Sequence, residues 1–365
     1  MLDIFSAEWL TSPIADRVFD CFYETFSKVE PSKRPPDILL ADNMQFLKDA
    51  TLTAKVKANF NKIKSLGINV GISASIDGKY CDYGRTENDD EFYIKLKEFL
   101  LEYKGLVHPM VSADNVKYWI DNYAWWRANF PDSMCRDIMS LEVRNGDWNE
   151  DSIQDLIRFC DFLIDYKFEE FNYDKTKMLK YIFHVFDDND DDDIKMLTSS
   201  YNIIGIQNTE TITNEDHIGC SSYGTLPIRL GDLSVAPCHR LYYPELEIGK
   251  FNVQNDKIID FNPTNVSLLI MMCHLKRSCI PHCERCNFNE ICVGHCLGAS
   301  YEAYGNMLVP QMEVCKMYTA KNTFLLYKYY TMGLFDNIDD LKRYLPENRI
   351  ELIKTLVANI VGEVV

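Results

Sequence analysis

The chain has 365 residues, 47% of them hydrophobic, with 21 tyrosines and 20 phenylalanines, a composition that suits a large buried core and excludes a disordered chain. Thirty-eight basic residues against 55 acidic ones give a formal charge of −17. That weighs against nucleic acid or an anionic membrane as partner, because both reward a basic face. No apolar run approaches the roughly 20 residues that span a bilayer, and "MLDIFSAEWL" lacks the basic-then-apolar pattern of a signal peptide, so the expected location is the cytoplasm.

In chain order, "LDIFSA" (2–7) reads as a buried strand. A helix follows, with Ser12 as N-cap and Pro13 at its first position. A second strand is expected at 37–43, then a helix closing at Gly67. The third strand covers 68–78 and a helix 89–104. Strands at 105–112 and 139–145 flank the aromatic helix "NVKYWIDNYAWWRANF", whose Tyr118, Trp119, Tyr123, Trp125 and Trp126 are expected in the core rather than on a cofactor. Such alternation predicts an α/β fold with a parallel sheet, open or closed into a barrel. In those sheets working residues collect at the carboxyl ends of strands, here Glu8, Asp42–Asn43, Ser75–Asp77 and His108 to Ser112. The acidic run "DDNDDDD" (187–193) lacks the glycine turn and distal glutamate of a calcium loop, and is expected as a solvated loop.

The 13 cysteines are unevenly spread. Cys21, Cys81, Cys135 and Cys160 stand singly and are expected as buried small hydrophobes. The other nine fall between Cys220 and Cys315, which suggests a boundary near residue 200. Their centre is Cys283-x2-Cys286-x5-Cys292-x3-Cys296, with Cys220 and Cys238 before it and Cys315 after. In a reducing compartment, thiols at this density point to metal rather than to disulfides. Four thiolates suit zinc or an iron–sulfur cluster. Seven well-placed cysteines exceed one tetrahedral site and fall one short of two. Cys273, Cys279, His274, His282 and His295 are less certain candidates.

This seven-cysteine set, with "APCHRLYYPELEIGKF" and "CLGASYEAYGN" around it, resembles the SPASM domain at the carboxyl end of many radical S-adenosylmethionine enzymes. The resemblance implies two auxiliary [4Fe–4S] clusters, one on Cys283, Cys286, Cys292 and Cys315, the other on Cys220, Cys238 and Cys296. The upstream pair departs from the family spacing, since six residues rather than four separate Gly231 from Cys238, and no additional cysteine lies between Cys220 and Cys238. The first region resembles part of the radical S-adenosylmethionine barrel. "IFSAEWL" takes the place of its second strand, with Glu8 toward the methionine amine. "DNMQFL" is similar to the end of the third strand. "ISASIDGKYCDYGR" takes the place of the fourth strand and its loop, with Ser73 or Ser75, Asp77 and Arg85 toward the ribose and carboxylate.

In that family CX3CX2C after the first barrel strand holds the catalytic cluster, and "MLDIFSAEWL" aligns with the second strand. The resemblance therefore implies S-adenosylmethionine chemistry only together with such an amino-terminal segment. That segment is expected to be cut away from a longer enzyme, supplied in trans by a separate polypeptide, or lost from a degenerate barrel.

The expected organisation is a partial (β/α) radical S-adenosylmethionine-type barrel over 1–200, a small cysteine-rich SPASM-like α+β domain over 201–320, and carboxyl-terminal helices over 321–365. The expected activity is modification of a peptide or protein by a 5′-deoxyadenosyl radical, served by an electron donor, with catalytic residues not identified by the sequence. Two other readings stay open: a non-catalytic iron–sulfur electron-transfer or scaffold subunit, and a zinc-stabilised binding protein.

Overall fold

A computed structural model describes residues 2–4, 9–81, 88–131, 140–142, 147–183, 185, 203–206, 227–229, 231–255, 257–292, 295–343 and 345–364. Contacts group the chain into two compact units, Met1–Leu141 with Lys195–Ile203, and Glu142–Ile194 with Ile204–Val365. The cysteine distribution suggests a boundary near residue 200, whereas the contacts place residues 142–183 with the cysteine-rich part. The acidic run 187–193 and Cys135 lie outside the described residues.

In the first unit, β1 (Leu2–Ile4), α1 (Ala15–Ser27), β2 (Asp37–Asp42), α2 (Ala50–Lys64), β3 (Asn69–Ala74), α3 (Asp90–Tyr103) and β4 (Leu106–Val107) follow one another. The four strands lie side by side in that order and all run parallel, with Ile4 opposite Leu40, Leu40 opposite Ile72, and Ser73 opposite Leu106. Parallel neighbours need long crossovers, and the helices occupy them. Asp49 caps α2 by accepting from the Thr51 and Leu52 amides, and Asp89 caps α3 through the Phe92 amide; each such cap contributes about 1 kcal/mol. Phe60 joins the helices at their core, its ring centroid 5.8 Å from Phe19 and 5.9 Å from Phe99.

Four local expectations are corrected. α1 starts two residues later than a Ser12 cap requires, because a short 3-10 turn over Trp9–Thr11 precedes it; Ile14 takes the N-cap position, its amide 3.4 Å from Ser12 Oγ. The single strand expected at 105–112 is two: β4, and β5 (Met110–Val111), which pairs with β6 (Ser140–Leu141). Pro109 between them has no N–H to give a ladder, and the Met110 amide donates instead to Asp77 Oδ1 at 2.8 Å. Cys21 is exposed rather than buried. It sits two residues past buried Phe19, and two residues turn a helix by about 200°. Cys81 and Cys160 are buried, as are Trp119, Tyr123 and Trp126 of α4 (Trp119–Asn129), whereas Tyr118, expected in the core, is exposed.

The second unit begins with α5 (Glu150–Glu170), held at its start by an Asn149–Ser152 capping box, and α6 (Lys175–Phe183). An antiparallel sheet follows in the order β7 (Ser234–Val235), β8 (Gly249–Gln254), β9 (Lys257–Pro263). Then come α7 (Val266–His274), the one-turn α8 (Pro281–Glu284), α9 (Leu297–Tyr304), α10 (Met312–Thr331) and α11 (Glu347–Val364). Leu241, Leu268, Met272, Ile280 and Leu297 form an apolar core that includes both Cys238 and Cys283. α10 lies along α5, where Lys328 Nζ reaches Asp161 Oδ1 at 2.7 Å and Asp165 Oδ1 at 2.9 Å. Among the described residues no helix is long and apolar enough to cross a membrane.

Candidate metal centre

The cysteine stretch folds as consecutive tight turns. Pro281 opens α8 at its first position, where a missing N–H costs nothing. The Cys286 amide bonds the Cys283 carbonyl at 3.1 Å, the Asn289 amide bonds the Cys286 carbonyl at 3.0 Å, and the Cys292 amide bonds the Phe288 carbonyl at 2.9 Å. Such turns need little more than the local chain, so the Cys-x2-Cys-x5-Cys spacing alone brings three thiols near one another. Two arginines fix the far end of the loop: Arg277 donates to the Cys292 carbonyl and Arg349, on α11, to the Glu290 carbonyl. Arg277 is only 2% exposed.

The fourth thiol comes from α10. Cys315, Tyr318, Thr319 and Asn322 are spaced i, i+3, i+4 and i+7, which is one helix face. All four line a cavity of about 50 Å³ together with Cys283, Cys286 and Cys292. The four cysteines assigned to one cluster by resemblance thus border a single cavity, and Arg277, His282, Phe288 and His295 complete much of its wall.

Burial, and then the neighbouring Cys292, Cys283 and Cys286, push the Cys315 thiol up to about 12. Burial and then Cys292 likewise raise the Tyr318 phenol. A thiol in such company ionises only with a cation to hold it. Among the described residues, no three His, Cys, Asp or Glu side chains are grouped as ligands to one ion. Four thiolates are the donor set of a tetrahedral zinc or of an iron–sulfur cluster. The wall also carries two buried polar atoms without a hydrogen-bond partner, His295 Nδ1 and Asn289 Oδ1. His295 Nε2 lies 2.8 Å from the Met307 carbonyl, which can only accept. Its hydrogen is therefore on Nε2, and Nδ1 keeps a lone pair. His295 is 4% exposed, and burial first of all lowers its pKa. These features fit a cysteine-ligated iron–sulfur group.

The upstream set is seen in part. Cys220 lies outside the described residues. Cys238 is buried and Cys296 half-buried, and Arg240 touches both, its amide 3.4 Å from Cys238 Sγ and its Nη1 3.6 Å from Cys296 Sγ. Cys296 also caps α9 by accepting from the Ala299 amide at 3.4 Å.

Of the residues assigned to S-adenosylmethionine, Glu8 and Arg85 lie outside the described residues. Ser73 is half-buried on β3 and Ser75 exposed just beyond it. Asp77 is 2% exposed, with one carboxylate oxygen accepting from the Met110 amide. Its carbonyl accepts from Asn122 Nδ2 at 2.7 Å and Trp126 Nε1 at 3.1 Å.

Neither protein-family models nor curated proteins gave a match to this chain. The candidate site therefore stands on its own residues. Sequence reasoning overlooked three of them, Arg240, Arg277 and Tyr318. Tyr318 was findable, three residues past Cys315 on the same helical face. It also overlooked that Cys279-x3-Cys283-x2-Cys286 has the CX3CX2C spacing. That run lies in the cysteine-rich unit rather than at a barrel strand; Cys279 is exposed, and the cavity lining contains Cys283 and Cys286 without it.

Proposed function

We propose that this chain belongs to a cytoplasmic radical S-adenosylmethionine enzyme of the SPASM type, acting on a peptide or protein. The carrying observation is that Cys283, Cys286, Cys292 and Cys315, drawn from two separate stretches, border one cavity. The reading gives the first unit the role of a partial barrel and the second that of host to two auxiliary [4Fe–4S] centres. When bound, such clusters accept or pass single electrons, at potentials set by hydrogen bonding and burial.

The chain's own residues do the rest. The turns over 283–292 present three thiols, α10 supplies the fourth, and Arg277 and Arg349 hold the loop that carries Cys292. Phe288 and Val314 exclude water from the cavity wall, which strengthens every charge interaction inside it.

The test is iron, sulfide and zinc analysis with a visible spectrum on anaerobically prepared protein. About eight irons and eight sulfides per chain, in a brown solution, are expected for two [4Fe–4S] centres. Stoichiometric zinc in a colourless solution would overturn the reading.

A further inference from the structure

We propose that Arg240 is the built-in counter-charge and positioning residue of the Cys238/Cys296 centre, gripping both sulfurs and raising the reduction potential of the group bound there. The inference rests on the iron–sulfur reading above. Its first support is geometric. One residue offers its backbone amide to Cys238 Sγ at 3.4 Å and its guanidinium to Cys296 Sγ at 3.6 Å, so the two ligands, 58 positions apart, share a single donor residue.

The second support is how the guanidinium is aimed. Glu302, on α9, takes its other two nitrogens, Nε at 3.4 Å and Nη2 at 2.5 Å. That two-point grip fixes the plane of the fork and leaves Nη1 for the sulfur. The third is the space made for it. A Cβ on Gly298 would come 2.8 Å from Arg240 Cβ, so the glycine lets the arginine stem lie against α9, where the side chain of any other residue would push it off.

The chemistry follows. A guanidinium does not give up its proton in a protein, so the positive charge at Cys296 is permanent. N–H donors to a ligating sulfur draw electron density from it and stabilise the more negative, reduced state.

The experiment compares anaerobically reconstituted wild type, Arg240→Gln, Arg240→Lys and Gly298→Ala, by iron content and by potentiometric titration with electron paramagnetic resonance detection. Arg240→Gln is expected to move one midpoint potential to more negative values and leave the other in place. Arg240→Lys recovers part of the shift, and Gly298→Ala, which keeps every ligand and the arginine, gives a shift of the same sign. Full iron with both potentials unchanged in Arg240→Gln overturns the proposal. Should Arg240→Gln lose iron, Gly298→Ala decides: a negative shift of one potential supports the proposal, and unchanged potentials overturn it. Wild type that binds zinc in place of iron sinks the iron–sulfur reading first, before any variant is made.

Discussion

The loop around Asp77 in the first unit and the cavity wall in the second treat their buried polar groups in opposite ways. In the first, Asp77 closes a loop: its carboxylate holds the Met110 amide while its carbonyl receives Asn122 and Trp126. In the second, His295 Nδ1 and Asn289 Oδ1 are left without partners in the wall of a cavity ringed by thiols. Leaving a buried acceptor unpaired costs roughly 1–3 kcal/mol, so a fold tolerates it where something else is meant to be accommodated. A satisfied network signals architecture, and an unsatisfied one beside ligand-type atoms signals a site.

That contrast can be broken most sharply at the cavity. Cys286→Ala is expected to remove about half of the iron, near four of about eight per chain, while Cys21→Ala, on the exposed face of α1, leaves iron content unchanged. Equal iron in the two variants would sever the link between cavity and metal. In the first unit the largest effect is expected at Gly78, which has φ +111° and whose Cβ would come 2.4 Å from Trp126 Nε1. Gly78→Ala should destabilise by about 2–4 kcal/mol from backbone strain and overpacking together, read as a lower urea midpoint.

Next is Asp77→Ala, expected to cost about 2 kcal/mol by orphaning the Met110 amide. An unchanged midpoint would contradict a structural role for the Asp77–Met110 hydrogen bond. The smallest effect is at Lys328, where burial opposes the charge but hydrogen bonds to Asp161 and Asp165 outweigh it and raise the pKa above 10.5. A raised folded-state pKa means the stabilisation is complete below the unfolded value and fades as pH rises through the folded one. Lys328→Met should therefore cost under about 1 kcal/mol at neutral pH, with the gap to wild type closing as pH rises beyond 10.5. A gap that stayed constant from neutral pH to well above 10.5 would contradict this assignment.

How much of this was legible in the sequence depended on how local the cause was. The Gly67 stop after α2 was readable, because the end of a helix is settled within a few residues. The Cys-x2-Cys-x5-Cys turns were readable for the same reason. The break in the strand at 105–112 was half readable: Pro109 announced it, but the competing acceptor, Asp77, is 33 residues upstream. Arg240, Arg277 and Arg349 were not readable as parts of a site. Each acts on a residue at least 15 positions away by sequence, apart from the Arg240 amide on Cys238, and no spacing rule reaches that far. Cys21 was misread because helical phase, rather than residue type, decides which side faces water.

The hydrogen bond from Arg349 to the Glu290 carbonyl bears on the timing of synthesis. At roughly 5–20 residues per second, a ribosome that has placed Cys286 needs several more seconds to reach Cys315 and then Arg349. Through that interval the first three cavity thiols exist without their fourth companion and without the helix that braces their loop. The loop gains its Arg349 brace only once α11 has been made, so a nascent chain stalled before α11 holds these thiols on an unbraced loop.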